Sequence, residues 1–152
     1  MDIYCFQNCQ KIVVFSSDNK SVLLAKRKGE NDYDGVYSFI GGKMEVTDKD
    51  IIEGIKREKN EEVGEGFRIK IYPIYNVLKY FEKKDGNKMI LPHFYARYVK
   101  GEVNLNSEYS DIKWVSLTDL KSFEPKIPSV LDVVERLLKI IPLVDEKDLI
   151  EI

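Results

Sequence analysis

The sequence predicts an α+β fold in which a mixed β-sheet is covered by helices. Apolar, β-branched segments recur between residues 11 and 115 and are separated by turn sequences. Residues 48–63 and 128–141 have instead the spacing of amphipathic helices. Many strands combined with only two or three helices in this order favour a mixed sheet with helices packed on it.

Two hairpins and two single strands account for the predicted sheet. Residues 11–17 and 21–26 flank the turn sequence Asp18-Asn19-Lys20, and residues 67–81 and 89–98 flank Lys84-Asp85-Gly86-Asn87. Pro73 and Pro92 indicate that each strand of the second hairpin is interrupted or lies at a sheet edge. The single strands are residues 36–40, which end at Gly41-Gly42, and residues 112–115. Residues 27–34 and 106–111 are expected to be loops, and residues 117–120 a turn or short helix.

Composition and charge are those of one ordinary globular domain. The 152 residues are 43% hydrophobic and 33% charged, which is sufficient for a buried core. A net charge of −2 gives no field that would draw the protein to nucleic acid or an anionic membrane, and neither partner is expected. No basic-then-apolar leader is visible, and no apolar run approaches the roughly 20 residues that span a bilayer. We therefore expect a single domain over residues 1–152 in the cytoplasm.

The two cysteines predict no metal site of their own. Cys5 and Cys9 would need further sulfur or nitrogen ligands, and the one histidine, His93, lies far along the chain. We expect two reduced, partly buried thiols.

The helix at residues 48–63 concentrates three carboxylates on one edge. At about 100° per residue, Glu62 projects about 40° to one side of Glu58, and Glu61 about 60° to the other. Thr47 or Asp48 is the expected N-cap, and Gly64 suits the C-terminal end. Like charges crowded in this way destabilise a helix unless a cation compensates.

Three interpretations of this acidic edge remain open: a solvated face, a structural Ca²⁺ site, or a dedicated catalytic metal site. The apolar side chains Ile51, Ile52, Ile55 and Val63 project on the side of Glu58 and Glu62, so these two carboxylates border the buried face. Carboxylates at a core edge are costly unless they are paired, which argues against a solvated face. Gly41-Gly42, at the end of the preceding strand, allows close approach of backbone carbonyls, and oxygen ligands favour Mg²⁺ or Mn²⁺.

The segment from strand through Gly41-Gly42 to the acidic helix resembles the box of the Nudix hydrolases (MutT-like), G-x5-E-x7-R-E-U-x-E-E-x-G-U, where U is aliphatic. The box lies at Gly42–Gly64, with Asp48 in place of the first Glu and one inserted residue, which we expect in the loop before the helix. Lys59 and Glu65 replace aliphatic residues, and we expect Lys59 to extend to solvent. Residues 22–27, 36–40 and 111–117 are also similar to the family, so the resemblance covers about residues 10–140.

This resemblance implies a Nudix-type α/β/α sandwich and a Mg²⁺-dependent hydrolase, with Mn²⁺ as a possible substitute. Arg57 would pair with Asp48 and orient Glu58. Glu108, six residues before Trp114, would be a general base or further ligand, or an ordinary exposed loop residue. Glu45 would reach the metal cluster or lie on the surface. The implied metal ligands are the carbonyl of Gly42 and the carboxylates of Glu58, Glu61 and Glu62; the implied catalytic residues are Arg57, Glu58, Glu61 and Glu108.

The substrate is less well defined by the sequence. The resemblance implies cleavage of a phosphoanhydride in a nucleoside diphosphate linked to another group, and the small size favours a nucleoside triphosphate, giving nucleotide and pyrophosphate. Dinucleoside polyphosphates, ADP-ribose and nucleotide sugars are alternatives, as is a catalytically silent nucleotide-binding module of the same fold.

Arg27 and Lys43 would contact phosphate or remain surface cations. The aromatic residues that would stack a base, or simply pack in the core, are Tyr37, Phe39, Tyr75 and Tyr80. A homodimer is possible.

Overall fold

The computed structural model describes residues 3–152, and within them one mixed sheet is flanked by two α-helices. The helices are α1 (Ile51–Val63) and α2 (Val130–Ile140), followed by 3₁₀ turns at Ile141–Leu143 and Glu146–Asp148. None of these helices is long and apolar enough to cross a bilayer. The strands are β1 (Gln7–Asn8), β2 (Lys11–Phe15), β3 (Ser21–Arg27), β4 (Tyr37–Ser38), β5 (Arg68–Glu82), β6 (Lys88–Lys100), β7 (Tyr109–Ser116) and β8 (Ile150–Glu151).

The sheet runs in the order β4-β3-β2-β6-β5-β8, with β1 beside β6 and β7 beside β3. Both predicted hairpins form, since β2 pairs antiparallel with β3 and β5 pairs antiparallel with β6. Between the hairpins, β2 runs parallel to β6, and this pairing makes the sheet mixed. The predicted mixed sheet is confirmed.

The helices cover opposite faces of the sheet. On one face Ile55 and Val63 of α1 pack with Ile12, Val14 and Leu23 in one buried cluster. On the other face, α2 packs its apolar side into a second cluster, which contains Val13, Phe15, Leu24, Val130, Val133, Val134 and Leu137. This layering confirms the predicted α/β/α sandwich.

The two prolines in the second hairpin mark interruptions of its pairing. Pro73 lies within a register shift between Ile71 and Asn76 on β5. On β6, Pro92 falls where the partner changes, because β1 pairs with residues up to Ile90 and β2 pairs from His93 onward. The missing N–H of each proline is thus placed where the ladder is already irregular.

Helix α1 begins later than predicted. Its N-cap is Asp50, whose carboxylate accepts a hydrogen bond of 2.8 Å from the backbone N–H of Glu53. The predicted start at residue 48, with Thr47 or Asp48 as cap, is wrong because the Asp48 carboxylate binds Arg57 instead.

Lys59 is buried and does not extend to solvent as the sequence suggested. Its side chain is 0% exposed, and its Nζ donates to the carbonyls of Phe67, at 2.9 Å, and Gly64, at 3.3 Å. These carbonyls lie just beyond the C-terminal end of α1, where cations are favourable. Burial lowers the pKa of Lys59 to about 8.

Strand β7 is longer than predicted and shortens the loop before it. The strand starts at Tyr109, so the expected loop 106–111 ends at Glu108. The reason is the Tyr109 side chain, which is buried and donates a hydrogen bond from its hydroxyl to Glu62.

The short strands β1 and β8 were not predicted. Cys5 is exposed and Cys9 buried, and both are free thiols.

Candidate functional site

The Gly41-Gly42 turn brings the backbone against the acidic edge of α1. A Cβ on Gly42 would lie 2.2 Å from Oε2 of Glu58, so this carboxylate packs directly on the glycine backbone. Gly41 has φ of +122°, and a Cβ there would lie 2.2 Å from the carbonyl oxygen of Gln10. Gly41 therefore requires glycine, whereas a side chain at position 42 would displace the Glu58 carboxylate.

Glu62 is the most deeply buried acid of the box, at 1% exposed. Its Oε2 accepts hydrogen bonds from the Gly41 N–H at 2.7 Å and from the Tyr109 hydroxyl at 3.1 Å. Burial raises the pKa of Glu62 to about 8, although the Lys11 ammonium and the Gly41 N–H act in the opposite direction. Glu62 is thus a carboxyl group whose ionised form needs a compensating cation.

Arg57 holds the loop before α1 and the next acid of the helix. Its guanidinium contacts the two carboxylate oxygens of Asp48 at 2.8 and 2.9 Å and Oε1 of Glu58 at 2.9 Å. The hydrogen bond from Arg57 lowers the pKa of Asp48 to about 2. Burial raises the pKa of Glu58, against the influence of Arg57. The pairing of Arg57 with Asp48 and Glu58 that the resemblance implied is present.

Glu61 is the most exposed of the three acids of the predicted metal set. Its side chain is 55% exposed and contacts Arg57 at 3.3 Å. Among residues 3–152, no three side chains of His, Cys, Asp or Glu are arranged to hold a metal ion together. The structure brings Glu58 against Gly42 and Glu62 against Gly41, and it joins Glu61 to Glu58 through one terminal nitrogen of Arg57, which contacts both carboxylates. Glu45 is exposed and also lies near Arg57, at 3.5 Å.

The donor chemistry at this turn nevertheless fits a hard divalent cation. The groups around it are the carboxylates of Glu58 and Glu62 and the carbonyls of the two glycines, all oxygen donors. The Gly42 carbonyl accepts one hydrogen bond, from the Gln10 N–H, and keeps a second lone pair.

Lys11 is a residue of this site that the sequence analysis missed. It is buried, and its Nζ donates to the Gly41 carbonyl at 2.9 Å. Gly41 thereby contacts a carboxylate through its N–H and an ammonium through its carbonyl. A charged residue at the head of the apolar run of residues 12–15 was the available signal.

A cavity of about 730 Å³ opens beside the turn, within the usual size range of small-molecule sites. The predicted residues Arg27, Lys43, Tyr80 and Glu108 all line it. The Nε of Arg27 is buried without a hydrogen-bond partner in the described structure, while one terminal nitrogen of Arg27 donates to the Asp32 carbonyl. That terminal nitrogen also lies 3.4 Å from Oε2 of Glu30. Because Nε is enclosed, an anion in the cavity would contact Arg27 through a terminal nitrogen.

Of the four aromatic residues considered for base stacking, two line the cavity. Phe39 is buried in its wall, and Tyr80 lies at its rim, 58% exposed. Tyr37 instead packs in the cluster under α2 and bonds Asp111 through its hydroxyl. Tyr75 is not among the lining residues.

The cavity is bordered by a loop that is tied to the β5–β6 hairpin. The loop, residues 28–34, contributes a buried Asp32 whose Oδ1 accepts a 3.2 Å hydrogen bond from the Lys84 N–H. The Tyr33 and Phe81 rings lie 5.9 Å apart across the same gap. The position of Glu108 is fixed separately, because the Lys28 N–H donates to its carbonyl.

Comparison with known proteins agrees with this geometry. The family model for the Nudix domain matches residues 8–137. A MutT protein from Methanosarcina mazei Go1 has a similar structure, with TM-score 0.72, 23% identity, and 91% of this chain and 97% of that chain covered. A C. elegans Ap4A hydrolase has TM-score 0.73 at 15% identity, covering 91% and 99% of the two chains. The Nudix domain of Shewanella oneidensis NrtR, in complex with ADP-ribose, has TM-score 0.70 at 18% identity, covering 93% and 91%. No curated protein matches the sequence.

The mixed sheet between two helices is the fold that this chain shares with these solved structures. The match over residues 8–137 then shows that this chain belongs to the Nudix family. The prediction of a Nudix hydrolase is confirmed at the level of the family.

Proposed function

We propose that this protein is a Mg²⁺-dependent nucleoside triphosphate pyrophosphohydrolase, releasing a nucleoside monophosphate and pyrophosphate. The observation that carries the proposal is the contact of Glu58 with the Gly42 backbone beside the buried Glu62, at the edge of a nucleotide-sized cavity. Two carboxyl groups whose burial raises their pKa values are costly unless a cation binds them in the functional state.

Glu58, Glu62 and the Gly42 carbonyl would hold the cation, and Glu61 would join them by leaving Arg57. The cation supplies charge neutralisation for the diphosphate and acidifies bound water. Arg27 binds a phosphate oxygen through a terminal nitrogen of its guanidinium, and Lys43 contributes a second positive charge at the rim. Arg57 fixes the direction of the Glu58 carboxylate through their 2.9 Å contact.

Two carboxylates are candidates for the general base. Glu58 faces the turn, and Glu108 lies on the cavity wall, close enough for its charge to act on Glu58 and Glu62. Either could take the proton of the attacking water. Glu108→Gln separates them, because loss of the base lowers kcat by about 100-fold or more whereas loss of an ordinary wall residue does not.

The choice of substrate rests on the small size of the chain and on the cavity. Solved relatives include a protein named as an Ap4A hydrolase and a domain bound to ADP-ribose, so dinucleoside polyphosphates and ADP-ribose are the alternatives. The cavity volume of about 730 Å³ is sufficient for a nucleoside triphosphate, and the small size of the chain favours this smaller substrate.

The test is a phosphate-release screen, with coupled pyrophosphatase, of nucleoside triphosphates, dinucleoside polyphosphates, ADP-ribose and nucleotide sugars. We expect Mg²⁺-dependent turnover of a triphosphate and loss of about 100-fold or more in kcat for Glu62→Gln. Glu53→Gln, on the exposed side of α1, is the matched control and should retain turnover. Silence across the whole panel with intact fold and nucleotide binding would instead identify a nucleotide-binding module.

A further inference from the structure

His93 is a buried polar residue in the cavity wall that the proposed chemistry does not use. It lies on β6, is 4% exposed and lines the cavity. Its ring packs edge-to-face on Phe39, with centroids 5.7 Å apart.

The neighbours of His93 determine which ring nitrogen carries the proton. Nδ1 lies 2.8 Å from the Leu91 carbonyl oxygen and 3.2 Å from the Val77 carbonyl oxygen. Both neighbours are acceptors, so Nδ1 must be the N–H donor, and in the neutral ring Nε2 is an acceptor. Within residues 3–152, Nε2 has no hydrogen-bond partner, and it is not among the enclosed, unpaired polar atoms. Its lone pair therefore borders the cavity.

The imidazole stays neutral in this position. Burial lowers the pKa of His93 to about 4, and the Lys11 ammonium on the neighbouring strand acts in the same direction. At neutral pH the ring consequently presents an acceptor to the cavity and cannot present a second donor.

The lining of the cavity contains charged and apolar side chains, and the ring of His93 packs on one of the apolar ones, Phe39. The Gly41-Gly42 turn and Glu58 form the side at which phosphates bind in the proposed reaction. Phe39, Phe81 and Leu91 also line the cavity, and their apolar side chains suit the nucleoside portion of a substrate better than its phosphates. His93 stands between Phe39 and Leu91.

We propose that Nε2 of His93 is a specificity determinant that accepts a hydrogen bond from an N–H of the base or an O–H of the ribose. The inference rests on the proposed nucleotide chemistry and names the nucleoside feature that is read. A nucleoside without the matching donor leaves Nε2 buried and unpaired, and this penalty discriminates against it.

Nitrogen NMR tests the proposal in the unaltered protein, because the sequence contains one histidine. In tag-free protein labelled with ¹⁵N-histidine, we expect Nδ1 to be protonated and Nε2 unprotonated at pH 7. The Nε2 resonance should move towards that of a hydrogen-bonded nitrogen when a nucleoside monophosphate binds. A protonated Nε2 in the free protein, or an Nε2 resonance unmoved by saturating amounts of every monophosphate, overturns the proposal.

Matched ligands locate the donor. Comparing the Kd of adenosine monophosphate with that of purine riboside monophosphate tests the amino group. Comparing ribonucleoside monophosphates with their 2′-deoxy and 3′-deoxy forms tests the hydroxyls. Each Kd is measured by calorimetry. We expect one of these deletions, or its equivalent on another base, to weaken binding about tenfold. His93→Leu should bind both members of that pair equally; a discrimination ratio unchanged in His93→Leu overturns the proposal. If this variant does not fold, the NMR comparison with the same ligand pairs decides.

These measurements are independent of turnover. An Nε2 shift in a protein that hydrolyses nothing would refute the enzymatic proposal and leave this one standing. Hydrolysis without any Nε2 shift would refute the role proposed for His93 and leave the enzymatic proposal standing.

Discussion

At the scale of the residue, we expect Glu62 to make stability depend on pH and, through the proposed cation, on Mg²⁺. Its folded-state pKa of about 8 is above the ordinary 4.5, so its contribution to folding is fully present below pH 4.5 and is lost as pH rises to about 8. We expect that, with EDTA present, raising the pH from 5 to 8 lowers the Tm of the parent protein by about 5 °C more than it lowers the Tm of Glu62→Gln. At pH 8, adding Mg²⁺ should raise the Tm of the parent by this amount and leave the Tm of Glu62→Gln unchanged. A Tm difference independent of pH would contradict the buried ionisation.

Lys59 gives a prediction of opposite sign. Its folded-state pKa is lowered from 10.5 to about 8, so its contribution to stability is present above pH 10.5 and is lost as pH falls through 8. Lys59→Met removes this cost while filling a similar volume. We expect the variant to gain Tm relative to the parent at pH 7, and to gain less as pH rises to 10, as measured by thermal denaturation. An equal effect at both pH values would show that packing, and not charge burial, decides the outcome.

At the scale of the element, the Gly41-Gly42 turn is the part of the site most sensitive to size. Gly42→Ala places a methyl group 2.2 Å from Oε2 of Glu58, and the carboxylate must then move away from the backbone. We expect kcat to fall about 100-fold or more with the fold retained, because misplacement by about 1 Å has such effects. Gly66→Ala is the matched control, since its Cβ would meet no atom within 4 Å. Steady-state kinetics and circular dichroism check both variants.

The same scale shows which parts of the site were accessible to sequence reasoning. Helical periodicity is local, so the positions of Glu58 and Glu62 at the edge of the buried face followed from spacing within one segment. The helix start did not, because Asp48 and Asp50 could both cap and only the contact with Arg57 excludes Asp48. Lys11 and His93 are 82 positions apart and meet through the parallel pairing of β2 with β6, which no local pattern predicts.

At the scale of the whole molecule, the cavity depends on ties between distant segments. Asp32→Ala removes the buried one of two acceptors through which loop 28–34 binds Lys84 of the β5–β6 hairpin, the other being the Asn31 carbonyl. We expect KM to rise about tenfold with a smaller change in kcat, because the loop carries part of the cavity wall but no proposed ligand of the metal. Asp34→Ala is the control, since Asp34 accepts a hydrogen bond only within that loop, from the Glu30 N–H. Similar kinetic changes in both variants would contradict the role assigned to the tie.

The layered arrangement of sheet and helices was predictable from the sequence pattern, whereas the shortest strands were not. Alternating strands and amphipathic helices require a sandwich to bury their apolar sides, so the fold class followed from the pattern alone. The two-residue strands β1 and β8 carry no such pattern and are defined by their neighbours on β6 and β5. The late start of β2–β6 pairing past Pro92 is likewise a property of the assembled sheet.

The backbone of Gly41 is held from both sides by opposite charges, through its N–H to Glu62 and through its carbonyl to Lys11. A glycine in this position would otherwise have the widest torsional freedom in the chain. Because both adjoining peptide planes are anchored, neither can flip independently. The loss of torsional entropy therefore occurs when the chain folds, and a ligand that enters the cavity meets a turn already in one conformation.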